Sequence, residues 1–300
     1  MELRHLRYFI AVAEEENVTR AAARLRVSQP PLSRQIQALE DEIGVNLFDR
    51  CGRSIKLTQA GLVFLRHAKS VLTQVELAVK SAQAASGEKS ALRVGYTPAL
   101  TTELLPQIVR SLSRHHPRVQ LIMHDSVSIE IVDLLRAGKL DVGLIAKHPG
   151  ERNHRLHYEV LQSFAVGVIV SKRHRLARRR GLAVDDVMDE PIALLSPRRF
   201  VAFHAWTRRV LGRRFSRVRV VEECESVPSL IAAVECGRAI ALCSEGHIQP
   251  ARDRLAFVPF TPPLPPIEIG IGFLPRSLPS PPVQQFIETA RIIGRRMVSS

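Results

Sequence analysis

No apolar run in this chain approaches the ~18 consecutive residues that a membrane-spanning helix needs. The start, MELRHLRYF, lacks the uninterrupted apolar core of a signal peptide, so the reading is a cytoplasmic protein of two or three domains over 300 residues. Cysteine is sparse. Cys51, Cys224, Cys236 and Cys243 form no C-x-x-C pair and no Cys/His ligand spacing, which argues against a structural zinc site or a disulfide framework. Enzyme signatures are missing as well: there is no G-x-S-x-G, no Walker loop, no G-x-G-x-x-G after a strand and no H-E-x-x-H. No cofactor, metal or catalytic residue is therefore expected.

Acidic residues are also in deficit. The formal net charge is +14 and the pI about 10.6, which points to an anionic partner. Residues 1–90 carry 13 Lys/Arg against 10 Asp/Glu, a net of +3, leaving +11 for the remainder. Much of that excess lies in KRHRLARRR (172–180) and in the stretch 198–219. The motif that speaks to nucleic acid lies elsewhere, in the less charged N-terminal part.

In RVSQPPLSRQIQALEDEIG (26–44), two prolines fall inside a helical pattern. Ser28 is a suitable N-cap, and Gln29, Pro30 and Pro31 then occupy the first helical positions. Backbone N–H groups there have no intrahelical acceptor, so proline starts this helix rather than breaking it. Leu32, Ile36, Leu39 and Ile43 line one face. Pro30, Arg34 and Gln37 lie opposite, with Ser33 at their flank. Upstream, NVTRAAARLRV supplies a short helix capped near Thr19, with Ala21, Ala22 and Ala23 allowing close approach. A three-residue link, Arg26 to Ser28, makes the pair a helix-turn-helix, and Leu6, Phe9, Ile10 and Ala13 of a preceding helix complete its core. Such a recognition helix reads base edges in the major groove with Gln and Arg. The candidate DNA-contacting residues are Ser28, Gln29, Pro30, Pro31, Ser33, Arg34 and Gln37. A small wing follows, with strands at 47–50 and 54–57 around a Cys51-Gly52 turn, and presents Arg50, Arg53 and Lys56 to phosphate or minor groove.

From Thr58 to Ser86 there is no proline and, beyond Gly61, no glycine. Leu65, Ala68, Leu72, Val75, Val79 and Ala82 form a heptad seam on a helix about 43 Å long. That seam is expected to pair with a second copy, since a helix-turn-helix gains affinity by reading two half-sites.

On these residues the chain resembles the LysR-type transcriptional regulators. The pattern MELRHLRYFIAVAEE, TRAAARL, VSQPPLSRQIQALEDEIGVNLFDR carries the resemblance, with T-x-A-G at 58–61 opening the linker. Within the family, MELRHLRYF, SQPPLSRQIQ and LLP (104–106) resemble the branch that controls breakdown of aromatic compounds, whose effectors are benzoate, muconate and chlorocatechol-type acids. The resemblance implies an α/β chain: a winged helix-turn-helix at 1–58, a dimerising linker helix at 59–89, and an effector domain at 90–300 resembling periplasmic binding proteins. Its first subdomain would comprise about 90–161 and 268–300, its second about 162–267. It also implies a dimer or tetramer that bends promoter DNA, with a small molecule in the cleft changing that bend. By position, the family's DNA contacts fall on Gln29, Pro30, Ser33, Arg34, Arg50 and Arg53.

The C-terminal two-thirds alternates strand and helix patterns: ALRVGY, a helix at 100–115, VQLIMHD, a helix at 128–138, DVGLIA, then a second set beginning at FAVGVIVS. That alternation predicts βαβ units and a parallel sheet, with a helix near 201–212 and a final helix at 281–297 returning to the first lobe. Ligands in such folds lie at strand carboxyl ends against helix N-termini. The rule selects TPAL (97–100) and SVSIE (126–130), with Ser128 as helix cap and carboxylate donor and Phe200 and Phe203 available for stacking. The branch resemblance maps effector contacts onto Pro98, Ala99, Leu100, Ser128, Val201, Ala202 and Phe203, with Thr97 beside them. Several relatives carry a hydroxyl where this chain has Ala99 and Ala202, which implies a pocket with fewer donors.

The arginine stretches read as solvated surface, as a funnel for an anionic effector, or as a contact with RNA polymerase or a neighbouring subunit. Expected partners are therefore promoter duplex DNA, a small anionic effector, further copies of the chain and RNA polymerase, with no membrane. The rival readings are a thiol redox regulator using two of Cys224, Cys236 and Cys243, and an enzyme. Acidic neighbours around Cys224 raise a thiol pKa, which disfavours the former.

Overall fold

The computed structural model describes residues 1–51, 54–85, 90–151, 156–275 and 279–298. It divides into two units, Met1–Ser86 and Gly87–Ser300. In the first, α1 (Leu3–Glu15), α2 (Val18–Leu25) and α3 (Gln29–Ile43) precede the antiparallel pair β1 (Phe48–Cys51) and β2 (Ser54–Leu57) and the long α4 (Gln59–Ala85). Asn17 caps α2, its side chain accepting from the Arg20 N–H, so the cap lies two residues before Thr19. Ser28 is the N-cap of α3 by backbone, with no side-chain hydrogen bond, and the prolines stand in the first turn. Gly44 ends that helix in the left-handed region at φ +78°, where an L side chain is strained.

Leu32, Ile36 and Leu39 of α3 are buried against Leu6, Phe9 and Val12 of α1 and Ala21 and Ala22 of α2. At roughly 1.5–3 kcal/mol per buried aliphatic side chain, this stripe is the main contribution of α3 to the core. Phe9 joins the layers, with ring centroids 5.2 Å from Phe48 and 5.0 Å from Phe64. Glu40 is a buried acid on α3. Its Oε1 accepts the backbone N–H groups of Leu47 (2.7 Å) and Phe48 (2.9 Å), fixing where the wing leaves the helix. The Leu47 carbonyl in turn accepts the Thr58 N–H at 3.0 Å. Thr58 Oγ1 accepts the Gly61 N–H at 2.9 Å, capping α4. A Cβ on Gly61 would lie 2.0 Å from the Leu47 carbonyl oxygen, so the close approach of wing and linker requires glycine here.

The second unit opens with β3 (Ser90–Tyr96), a single turn α5 (Pro98–Thr101), α6 (Leu104–His115), β4 (Val119–Asp125), α7 (Ser128–Arg136), β5 (Val142–Lys147) and β6 (His157–Phe164). The helix expected over 100–115 is thus two pieces. The chain then forms β7 (Val166–Ser171), β8 (Pro191–Leu195), α8 (Val201–Leu211), β9 (Arg219–Cys224), α9 (Val227–Glu235), β10 (Ala241–Ser244) and β11 (Leu255–Pro259). It returns through β12 (Ile267–Phe273) to α10 (Pro281–Val298). The first sheet has the order β4-β3-β5-β12-β6. Its first three strands are parallel, but β12 runs antiparallel to both β5 and β6. The expectation of one parallel pattern is corrected accordingly: β12 arrives from the other lobe and enters the sheet in the opposite sense. The second lobe holds an antiparallel trio, β10-β7-β11, and a parallel pair, β8-β9. Two crossings, β6 to β7 and β11 to β12, join the lobes. Asp141 braces β3 to β5, its Oδ2 accepting from the Arg93 backbone N–H and Nε and its Oδ1 from Nη2, all within 3.0 Å.

Replacing Glu40 with Ala leaves two buried N–H groups without this acceptor, at about 1–3 kcal/mol each. The expected result is an N-terminal unfolding transition destabilised by about 2–6 kcal/mol in denaturant titration, with the C-terminal transition unmoved. Glu40→Gln, which keeps an acceptor oxygen, is expected to lose less.

Candidate nucleic-acid interface and ligand cleft

Burial of the Leu32–Ile36–Leu39 stripe turns the opposite side of α3 outward. Ser28, Gln29, Pro30, Pro31, Arg34 and Gln37 are exposed and Ser33 is half-buried. Gln29 Nε2 donates to Ser33 Oγ at 3.4 Å and Gln37 Nε2 to Asp41 Oδ1 at 3.0 Å. Arg34 stands on this face between them. On the wing, Lys56 is exposed; Arg53 and the side chain of Arg50 lie outside the described residues.

Of the seam residues on α4, Ala68 is buried in the core of the N-terminal unit, and Leu65 and Leu72 pack against it. Val75 is half-buried, whereas Val79 and Ala82 are exposed. The first half of the heptad pattern is thus occupied within the chain, and the second half is open.

In the C-terminal unit a cleft between the lobes encloses about 530 Å³ of empty space, its open mouth included. Thr97, Ala99, Leu100, Ser128, Val201, Ala202 and Phe203 all line it, whereas Pro98 is not among the lining residues. Ser128 is the first residue of α7, and Val127 is its N-cap. The expected capping role is therefore corrected. The Ser128 hydroxyl oxygen instead accepts the Ala146 N–H at 3.1 Å and lies 3.3 Å from Thr97 Oγ1, joining β3, α7 and β5 at the cleft floor. Phe203 is buried, with ring centroids 5.4 Å from Trp206 and 5.9 Å from His148. Only part of its surface remains for a ligand.

The lining also contains Arg199, His148 and His247, which sequence reasoning missed, together with Val127, Ile129, Ala146, Leu195 and Val227. His148 follows the end of β5, and His247 lies just past β10. Applying the strand-end rule to those two strands, as to β3 and β4, would have found both. The His148 backbone N–H donates to Glu151 Oε2 at 3.0 Å. His247 Nδ1 accepts the Ser244 N–H at 3.3 Å, and the Ser244 hydroxyl lies 2.8 Å from the same nitrogen. That arrangement places the proton of the neutral ring on Nε2. Burial, with the charge of His148 adding to it, depresses the His247 pKa to about 4. None of the lining residues is acidic. Two hydroxyls, two imidazoles and a guanidinium stand here against apolar walls, the mix of a few polar groups in an apolar concavity that small-molecule sites have.

Two of the four thiols, Cys224 and Cys243, are buried. Cys243 is fully buried and its pKa is pushed well up by desolvation; Cys224 is shifted upward by burial and by Glu222. Cys236 is exposed, and the Cys51 side chain lies outside the described residues. Among those residues, no group of three His, Cys, Asp or Glu side chains is arranged to hold a metal ion, and no helix is long and apolar enough to cross a membrane.

A DNA-reading head and a two-lobed ligand domain define a class, and comparison with known proteins names it. The family model described as bacterial regulatory helix-turn-helix protein, lysR family, matches residues 3–62, and the LysR substrate binding domain matches residues 85–292. The chain belongs to the LysR family: it is a DNA-binding transcriptional regulator with an effector-binding domain. It is 35% identical to the HTH-type transcriptional regulator AlsR of Bacillus subtilis over 238 residues, covering 79% of this chain and 78% of that one. It is 30% identical over 276 residues to BenM of Acinetobacter baylyi, covering 90% of each. The crystal structure of full-length BenM superposes with a TM-score of 0.60 over 99% of this chain and 98% of BenM, at 29% identity. Full-length CbnR in complex with its target DNA gives 0.61 over 98% and 100%, at 26% identity.

The depressed His247 pKa has a stability consequence with a fixed sign. Above pH ~6.5 the ring is neutral in both folded and unfolded states. Below that, the unfolded chain takes up a proton that the folded chain refuses until about pH 4. Stability is therefore lost as pH falls from ~6.5 to 4, by an amount on the order of 3 kcal/mol. In His247→Gln the stability–pH curve is expected to be flatter over that window; an equally steep curve would contradict the assignment.

Proposed function

We propose that this regulator reads an interrupted palindrome through the exposed start of α3 and converts occupancy of its cleft by a small aromatic or dicarboxylic acid into altered promoter bending. The observation that carries the ligand half is the cleft lining: hydrogen-bond donors against apolar and aromatic walls, with no acidic residue among the lining side chains. Ser128 and Thr97 on one lobe, His247 and Arg199 on the other, are the groups that would hold the carboxylate. Phe200 and Phe203 would face its ring. Ala99 and Ala202 add no donors, which favours a ligand with a substantial apolar body.

For the DNA half, Gln29, Ser33, Arg34 and Gln37 form the base-reading set. Ser28, Pro30 and Pro31 shape the helix start, and Arg50 and Arg53 are the wing contacts to backbone. The open half of the α4 seam, Val75, Val79 and Ala82, supports pairing with a second copy, which supplies the second half-site; the resemblance to the LysR family extends this to a tetramer. RNA polymerase is the further partner that a regulator of this class would engage. No feature of the site calls for a catalytic role.

Arg34→Ala is expected to weaken binding to the operator by about 1–3 kcal/mol per lost base contact, roughly 5- to 150-fold, at fixed salt in a fluorescence-anisotropy titration. Affinity for unrelated duplex should hardly change. Wild-type operator affinity in the variant would remove α3 as the reading element.

A further inference from the structure

Of the arginines in the two arginine-rich stretches, Arg199 alone is among the residues that line the cleft. Residues 172–219 hold 14 Lys/Arg against 4 Asp/Glu, a net of +10 out of the chain's +14. Thirteen of the 14 cations are arginine. Most of these acids are already engaged. Glu190 takes Arg175 at 2.5 Å and His174 at 3.4 Å. Asp185 takes Arg214 at 2.5 Å, and Asp186 takes Arg179 at 3.5 Å. The last two pairs have a geometric result. Asp185 and Asp186 sit on a single 3-10 turn, Val184–Val187, so they draw stretch 178–180 and stretch 213–217 to the same place on the second lobe. Arg179 and Arg214 pair with these aspartates, Arg178, Arg180, Arg213 and Arg217 flank the pairs in the chain, and all six are exposed. Among the described residues, Arg178, Arg180, Arg213 and Arg217 have no carboxylate within ion-pair distance.

Gathering like charges in this way is unfavourable through self-repulsion and is relieved by a polyanion. Arginine's planar fork matches phosphate oxygens in pairs, where a lysine offers a point charge. Single-stranded nucleic acid is bound through exposed aromatic platforms. The one aromatic within 213–217, Phe215, is half-buried, and the Arg208 guanidinium lies 4.9 Å from its ring centroid. The surface offers charge without stacking faces, which suits the phosphate backbone of a duplex.

We propose that this arginine face of the effector domain is a second, sequence-independent contact to duplex DNA, made on the phosphate backbone by Arg178, Arg180, Arg213 and Arg217. The choice of DNA as the polyanion rests on the family's DNA-binding function, and the contact itself is independent of α3. Because the face is covalently tied to a head that already holds DNA, even weak phosphate contacts act at high effective concentration.

The test uses the full chain and a duplex of arbitrary sequence, about 40 base pairs long, titrated by anisotropy over a series of potassium chloride concentrations. In the quadruple variant R178Q/R180Q/R213Q/R217Q, the slope of log affinity against log salt should fall by about three to four, since each phosphate contact contributes ~0.9. Binding at low salt should weaken tenfold or more. The lysine version, R178K/R180K/R213K/R217K, keeps the charge and should keep most of the slope, which guards against a folding artefact. Adding Arg34→Ala to either chain removes sequence preference and leaves the slope difference in place, so failure of the recognition-helix reading has a separate signature. A slope lowered by less than one overturns the proposal. If transcription activation is lost while the slope stays, the face serves a protein partner and the proposal is equally overturned.

Discussion

One carboxylate oxygen fixes the geometry of the DNA-reading head. Glu40 Oε1 receives the N–H groups of Leu47 and Phe48 where the chain leaves the recognition helix. The Leu47 carbonyl then receives Thr58, against which the first turn of the linker helix is capped. Recognition helix, wing and linker are thereby held to one another through backbone groups over two steps. The apolar stripe of α3 decides which face is buried, and Glu40 decides where the wing stands relative to it. Under the proposed function, specificity in the major groove would depend on both, because a recognition helix and a wing must meet groove and backbone in one register.

The C-terminal unit solves a different problem. Under the proposed function, the site would have to desolvate a small acid without burying a charge of its own. The polar groups of its lining are hydroxyls, imidazoles and a guanidinium. His247 is held neutral by burial, and its tautomer is set by Ser244, so Nε2–H is available without the desolvation cost of an imidazolium. Ser128 is held in place by the Ala146 N–H, and Arg199 stands on the exposed rim. Because Thr97 and Ser128 belong to one lobe and His247 and Arg199 to the other, a bound anion would favour the lobes in a closed arrangement. A population shift of that kind requires no more than differential affinity for two states.

Much of this was legible in the residues. The prolines at 30 and 31 marked a helix start because only that position tolerates two missing N–H donors, and Leu32, Ile36 and Leu39 showed which side is core. T-x-A-G at 58–61 was legible as a helix start, but the reason for Gly61, a carbonyl pressed onto its Cα, depends on a contact between segments far apart in the chain. Local periodicity could not reveal that β12 runs antiparallel, since strand direction depends on where the chain re-enters the sheet. His148 and His247 each follow a strand end and were open to the same rule that selects Thr97 and Ser128, but that they line one cleft, 99 residues apart, depends on how the two lobes meet. The heptad spacing of α4 marks a seam expected to pair with a second copy, yet Ala68 is spent on the core of its own unit, a choice that spacing alone does not encode.

The central claim is that one chain couples cleft occupancy to the way it holds promoter DNA. The most direct measurement is a footprint of the purified protein on the DNA upstream of its own gene, with and without a panel of benzoates and muconates at fixed salt. The account predicts a protected interrupted palindrome whose extent shortens or shifts with at least one of these acids. Protection that is identical with every acid, or no sequence-specific protection at all, would contradict it.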